Sequence, residues 1–405
     1  MKKCILCVAA TLLACPAGAM ASGWRIPEQS VDSTAKAGAN IASSSHADTA
    51  YYNPARMGFL EDRWQVEADL TYIYLSAVEY EDARTSAYND TSEDENFFIP
   101  TGFMVSPDFG GTRFGLSVTA PYGLAKHWKS GYGKAFVEEF SLEVIEINPV
   151  VSYTFNDWIS IAAGPRLLLA SGSVKSDATV IGTELGRSVD TDKASWGWNA
   201  AVDVRPMTGL DLAVTWRSYV DMKFDDTVNL NLMGTEVSPT ADLSIPAPAV
   251  LAVSVAYDVT DSVNVELTWD RTFWSEYDTF DFNFHTDIPG NPFEAPVARN
   301  WEDSDAFRLG ITWKASSVLT LMGGFAYDQS PVNDATLDFS VPDADAWIYS
   351  LGAQYKVSEN LELGLAALYD YKQDRTNKAD PTGVVYGKFS NASALLITGS
   401  VSYMF

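Results

Sequence analysis

The chain has 405 residues, 53 of them acidic and 27 basic, for a formal net charge of −26. Such an acidic excess argues against a nucleic-acid partner, and its plainest reading is a solvated acidic surface. All three cysteines (Cys4, Cys7 and Cys15) lie close to the start, so everything downstream lacks both a disulfide framework and a catalytic thiol, and no later run of apolar residues is long enough for a membrane-spanning helix.

Met1-Lys2-Lys3 is a basic start, Cys4 to Leu13 an apolar run, and Ala19-Met20-Ala21 a small-x-small step. Together they predict a secretory signal peptide over residues 1–21, cleaved after Ala21. Leu13-Ala14-Cys15 offers a competing lipoprotein box, against which stand Pro16 and the shortness of the apolar run. Residues 22–60 are rich in Ala, Ser, Gly and Asp and have no period of two. They are too polar for lipid. Their small residues suit packing inside a barrel, so a hatch (plug) in the lumen is expected rather than a free tail.

Residues 61–405 read as strands throughout. Six tight turns (106–111, 156–157, 206–209, 260–262, 315–317 and 358–360) alternate with seven long polar loops near 79–96, 123–138, 173–194, 222–245, 275–304, 329–345 and 373–391. Short and long connections never exchange places, which predicts an all-β fold: a 14-stranded antiparallel transmembrane β-barrel with both chain ends at the turn rim. Within strands the faces alternate. Trp64, Val66, Ala68, Leu70, Tyr72 and Tyr74 oppose Gln65, Glu67, Asp69 and Thr71; Phe307, Leu309, Ile311 and Trp313 oppose Arg308, Thr312 and Lys314. One face suits hydrocarbon and the other a polar lumen. Trp and Tyr near strand ends, Trp64, Tyr153, Trp158 and Tyr355 among them, fit interfacial girdles.

The third strand ends in Val118-Thr119-Ala120-Pro121-Tyr122-Gly123. Pro121 cannot donate to a ladder, so it either ends the strand or kinks it, and Gly115 and Gly123 weaken pairing nearby. The second long loop carries Lys126-His127-Trp128-Lys129, with Phe136, Val137 and Phe140 following. Cations beside aromatic groups could hold a carboxylate and its apolar tail; contact with anionic lipopolysaccharide is the other reading. Arg166, Arg217 and Arg308 fall on lumen-facing phases, where they either fix a carboxylate bidentately or pair with Asp211, Glu266 and Asp328 across the wall.

Nothing points to catalysis. His46, His127 and His285 sit in no nucleophile motif, and no spacing suggests a metal site. The acidic stretch Glu79 to Glu95 lacks the Gly-centred pattern of a calcium loop. No enzyme activity, cofactor or metal is expected. The last residues, Val401-Ser402-Tyr403-Met404-Phe405, form an alternating strand whose terminal aromatic resembles the signal read by the outer-membrane barrel assembly machinery.

Ordered motifs carry a family resemblance. Gly23-Trp24-Arg25-Ile26-Pro27-Glu28, Ala37-Gly38 and Asp48-Thr49-Ala50-Tyr51-Tyr52-Asn53-Pro54-Ala55 resemble the N-terminal hatch of the long-chain fatty acid transporter family (FadL/TodX type, OmpP1-like). The likeness continues through Ala120-Pro121-Tyr122-Gly123-Leu124-Ala125, Trp196-Gly197-Trp198-Asn199-Ala200, Trp216-Arg217-Ser218 and Tyr327-Asp328-Gln329-Ser330-Pro331. It implies a monomeric barrel in the bacterial outer membrane. A hydrophobic cargo would be captured by extracellular loops and released through a lateral gap at a kinked third strand. On that reading Pro121 and Gly123 form the kink, and Asn53 with Pro54, in the hatch, lies beside it and holds it. The expected cargo is a long-chain fatty acid; an aromatic hydrocarbon, within the same family, and a general porin or adhesin are the alternatives.

Overall fold

The computed structural model describes residues 23–405; the expected signal peptide and its cleavage site after Ala21 lie outside them. Fourteen antiparallel strands form the wall: β1 Gln65–Leu75, β2 Glu95–Val105, β3 Thr112–His127, β4 Glu139–Asn156, β5 Ile159–Asp177, β6 Leu185–Met207, β7 Leu210–Arg217, β8 Ala249–Thr260, β9 Val263–Phe273, β10 Ser304–Lys314, β11 Leu319–Asp328, β12 Ala346–Lys356, β13 Leu361–Lys372 and β14 Ser393–Met404. Each pairs with its sequence neighbours, and β1 closes on β14 from Gln65↔Met404 to Leu75↔Ala394. Closure leaves the wall without a free first or last strand, as spanning a bilayer requires. Phe405 completes it: its N–H donates to the Trp64 carbonyl at 3.0 Å and its carbonyl accepts from Trp64 N–H at 3.1 Å.

The alternation sorts as the sequence predicts. Leu70, Phe114, Trp196, Trp198, Phe307 and Leu365 face outward and are exposed, while Asp69, Arg113, Asn199, Asp203 and Arg308 point inward and are buried. All six turns lie at one rim. At the other rim, two expected loops shrink. β3 runs to His127 rather than ending near 123, and β5 and β6 fill most of 173–194, leaving Ala178–Ile181 as a short 3-10 turn. Their extensions pair with each other, as in Lys175↔Ser188 and Glu139↔Lys175. The β5 and β6 extensions read as loops because they are mostly polar on both faces. Beyond the bilayer a strand needs no apolar outer face, so the two-residue pattern vanishes while the ladder persists. A span needs only about 10 residues; the rest of these strands rises above the membrane.

Residues 23–60 lie inside the barrel, folded as α1 Val31–Ala35, α2 Thr49–Tyr52 and a 3-10 turn Pro54–Phe59. Ser30 caps α1, its Oγ accepting from Ser33 N–H at 3.2 Å. The segment meets a polar wall, so hydrogen bonds dominate its packing. The N–H groups of Ile41, Ala42 and Ser43 converge on the Glu266 carboxylate at 2.7, 2.9 and 2.9 Å. Val31 N–H donates to Asp69 at 2.8 Å, and Ser350 Oγ to the Ala35 carbonyl at 2.8 Å. Glycines make room where the segment touches the wall: a Cβ on Gly324 would lie 2.2 Å from the Lys36 backbone, and one on Gly115 would lie 2.5 Å from Met57 Sδ. The wall glycine Gly115, paired regularly with Val105 and Val150, thus serves close packing of the segment and does not weaken the ladder as expected.

Candidate transport site

β3 departs from the regular wall at Thr119. Below that point it pairs with β2 from Val105↔Gly115 to Gly102↔Val118, and there the β2–β3 ladder stops. On its other edge, β3 places two residues, Ala120 and Pro121, against the single Ile145 of β4 between the pairs Thr119↔Glu146 and Tyr122↔Val144, a bulge centred on Ala120-Pro121. Pro121 therefore kinks the strand without ending it. The in-out alternation stops too, and every residue from Thr119 to Lys126 is buried. β2 meanwhile stays paired with β1 along its full length, so a gap opens between β2 and β3. It closes above, where Glu93 N–H donates to the His127 carbonyl at 2.9 Å.

The N-terminal segment fills this gap. Ile26 N–H donates to the Pro121 carbonyl and Gly123 N–H to the Trp24 carbonyl, both at 2.8 Å, so Trp24–Ile26 forms a short antiparallel rung on the edge that β2 leaves. The Gln29 side-chain amide then mimics a peptide group. Its Nε2 donates to the Ala120 carbonyl at 3.0 Å, and its Oε1 accepts from Ala120 N–H at 2.7 Å. Thr101 of β2 donates to the Gln29 carbonyl at 2.6 Å, so one residue bridges both strands. Asn53 does something different from what was expected: its amide donates to Ile41 carbonyl at 3.0 Å and to Asp203 of β6 at 2.7 Å, away from β3. Pro54 opens the 3-10 turn behind it. Gln29 was missed because a lone glutamine carries no pattern; only the unpaired Ala120 peptide gives it a role.

Trp24 anchors the rung. Its ring packs against Trp274, Trp301 and Tyr277 at centroid distances of 4.7, 4.8 and 5.0 Å, and its Nε1 donates to the Pro246 carbonyl at 3.3 Å. Truncating a buried tryptophan costs about 3–5 kcal/mol. Trp24→Ala should release the rung and expose the Arg25–Ile26 bond to trypsin, with the barrel still folded. Digestion no faster than wild type would place the anchor elsewhere.

The expected binding cluster does not form one patch. Lys126 is buried, donating to Ser92 Oγ at 3.2 Å. His127 meets Glu95 at 2.7 Å, and Lys129 is exposed and paired with Glu93 at 2.8 Å. Those contacts also occupy two carboxylates of the acidic stretch. Trp128 is buried against Phe339. Phe136 and Phe140 line a cavity of about 450 Å³ enclosed by the extracellular ends of β4 to β6 and the loops near 280–299, 335–340 and 377–385. The lumen arginines are held by the wall. Arg166 and Arg217 share Glu146, the former at 2.7 Å. Arg308 joins Asp270 at 2.6 Å and Asp328 at 3.0 Å. Asp211 pairs instead with Arg56 and Arg205 at 3.1 and 2.8 Å. Below the N-terminal segment a polar cavity of about 810 Å³, lined by Asp32, Lys36, His46, Arg56 and Glu61, opens toward the turns. Among the described residues the one metal-ligand-like grouping, Asp225, Asp242 and His285, is solvent-exposed.

A closed antiparallel barrel with an apolar belt, a polar filled interior and no long apolar helix among the described residues defines an outer-membrane β-barrel protein. Residues 12–405 match the family described as outer membrane protein transport protein (OMPP1/FadL/TodX), and the chain belongs to it. It is 23% identical to outer membrane protein P1 of Haemophilus influenzae, over 89% of this chain and 88% of that one. It is 22% identical to the long-chain fatty acid transport protein of Escherichia coli O6:H1, over 76% and 77%. Among solved structures, a Pseudomonas aeruginosa FadL homologue superposes with a TM-score of 0.83 at 19% identity, covering 94% of this chain and 99% of that one. The Pseudomonas putida toluene transporter TodX gives 0.69 at 16% identity, covering 93% and 98%. These likenesses agree on the fold, and the chain is an outer-membrane transport protein.

Proposed function

We propose that this protein carries hydrophobic compounds, long-chain fatty acids in particular, from the extracellular loops into the barrel and releases them sideways between β2 and β3. Residues 22–60 act as the hatch that keeps this exit shut. The observation that carries the reading is the break in the β2–β3 ladder, filled by Trp24–Ile26 and Gln29 instead of by strand. A straight descent is disfavoured: the cavity beneath the segment is lined by charged groups, which offer an apolar chain nothing in exchange for their hydration. The monomeric state, lipopolysaccharide at the loops and recognition of Phe405 by the assembly machinery complete the proposal.

Deleting Pro121 removes the extra residue of the bulge and lets β3 pair with β2 and β4 without a break. Uptake of labelled oleate into cells expressing this variant should fall to the level of the empty vector, with the barrel still folded by its heat-modifiable mobility on gels. Uptake at the wild-type rate from a folded variant would refute lateral release. The aromatic-hydrocarbon branch is tested by the same assay with labelled toluene.

A further inference from the structure

A histidine and two aspartates converge on the outer face of the loops. Val220–Thr227 and Thr240–Ala247 pair as a hairpin, and Asn283–Phe284 adds a short third strand beside Thr240–Ala247. Val220, Met222, Phe224, Leu243 and Ile245 are buried on one face of this hairpin. The other face carries Asp225 and Asp242, which are direct cross-strand partners, and His285 follows the third strand. All three side chains are exposed, with one ligand atom from each lying within 4.8 Å of the others.

Like charges placed directly opposite across a ladder repel. No lysine or arginine relieves that repulsion here, since the hairpin's one basic residue, Lys223, is paired with Asp221 at 3.2 Å. Among the described residues the one ionic neighbour of Asp225 and Asp242 is His285, whose Nε2 lies 4.0 Å from the first and 3.4 Å from the second. Both separations exceed the roughly 2.7–3.2 Å of an N–H···O hydrogen bond. The other two histidines show what a direct imidazole–carboxylate pair looks like in this chain: His46 meets Asp32 at 2.9 Å, and His127 meets Glu95 at 2.7 Å. Two donors on one zinc ion, each about 2.1 Å from it, stand about 3.4 Å apart at a tetrahedral angle and at most about 4.2 Å apart. The spacing around His285 fits donors that share an ion.

The ring is also oriented. Its Nδ1 lies 3.1 Å from Thr240 Oγ1, and the His285 backbone N–H donates to the Thr240 carbonyl at 3.0 Å. A proton on Nδ1, donated to the threonine oxygen, leaves the Nε2 lone pair facing the two carboxylates, as in a metal-bound histidine. One imidazole with two carboxylates is a mixed nitrogen–oxygen set, which suits zinc; calcium and magnesium take oxygen ligands.

We propose that Asp225, Asp242 and His285 bind a zinc ion, with water completing its shell and Thr240 orienting the imidazole. The ion ties the 222–245 loop to the 275–304 loop, whose Tyr277 and Trp301 pack on Trp24. The ligands come from separate strands, so no local spacing announces them in the sequence. The site is independent of the cargo carried.

The test is calorimetric titration of ZnCl2 into the full-length mature protein, prepared in detergent without a histidine tag and freed of metal with EDTA. One ion per chain should bind. Asp242→Asn and His285→Ala should each weaken binding at least roughly a hundredfold, and Thr240→Val, which removes only the orienting hydroxyl, roughly tenfold. His127→Ala should leave it unchanged, and heat-modifiable mobility shows that each variant is folded. Wild-type protein that binds no zinc overturns the assignment, as do folded Asp242→Asn and His285→Ala variants that bind it as wild type does. CaCl2 that competes equally with zinc, in wild type and in His285→Ala alike, also overturns it, since the aspartates would then attract cations without a histidine ligand.

Discussion

Removing residues 23–56 should convert the protein into a steady, ion-conducting pore. A 14-stranded wall encloses more space than its own inward side chains fill, and here the N-terminal segment occupies the difference. Beneath it lies a polar cavity of about 810 Å³ that already opens toward the turns. Above it, the aromatic layer formed by Trp274, Tyr277 and Trp301 is built around Trp24 and would lose its centre. The deletion also leaves wall carboxylates unmatched: Glu266 loses three backbone N–H donors, Asp69 loses Val31, Asp203 loses Asn53, and Asp270 loses Arg25. The open pore should therefore prefer cations. Planar-bilayer recording decides: wild type should be silent, and the deletion should pass ohmic, cation-selective current. Silence from a folded deletion variant would mean that the loops alone seal the barrel, and the hatch assignment would fall.

The largest single-residue effect on stability is expected at Glu146. It is fully buried on β4 and holds two cations from neighbouring strands. Arg166 of β5 donates to it through Nε at 2.8 Å, with Nη2 at ion-pair distance (2.7 Å) from the same oxygen, while its Nη1 donates to the Ser218 carbonyl at 2.8 Å. Arg217 of β7 pairs with the other oxygen and stacks 4.2 Å over the ring of Tyr51, in the N-terminal segment. One carboxylate thus ties the wall to its filling. Glu146→Ala leaves two guanidinium groups desolvated and unpaired, a situation that costs about 3–5 kcal/mol. Breaking such a pair costs more than never having had it, so Glu146→Leu combined with Arg166→Leu should be milder than Glu146→Ala alone. Urea unfolding in lipid vesicles measures both. If Glu146→Ala lies within 1 kcal/mol of wild type, by the usual size of harmless surface changes, the pairing contributes little.

The barrel was legible because the bilayer acts on each strand separately. Leu70 faces out and Asp69 in for reasons contained in a few consecutive residues, and turns differ from loops in length and composition alone. Strand extents above the membrane were not legible, since Ser171 to Asp177 and Gly186 to Lys193 pair in water, where no solvent boundary stamps a period on the side chains. The site was legible only in part. Pro121 marked the kink, and Phe136 and Phe140 do line the loop cavity. The partner across the kink was assigned to Asn53 and is Gln29, and Lys126 and Lys129, read as one basic cluster, instead meet Ser92 and Glu93 separately.

What the sequence determined by itself, then, is everything set by a residue's immediate neighbours and the solvent they share: strand count, the lipid and lumen faces, the turn rim, and a polar segment that had to go somewhere other than the membrane. Tertiary structure decided which inward groups meet. Asn53 and Asp203 are 150 residues apart, and Ile41 and Glu266 are 225 apart. Contacts at such separations exist only because closing the ladder from β1 to β14 brings every strand's inner face around one small lumen, where buried charges pair with whichever partner geometry delivers.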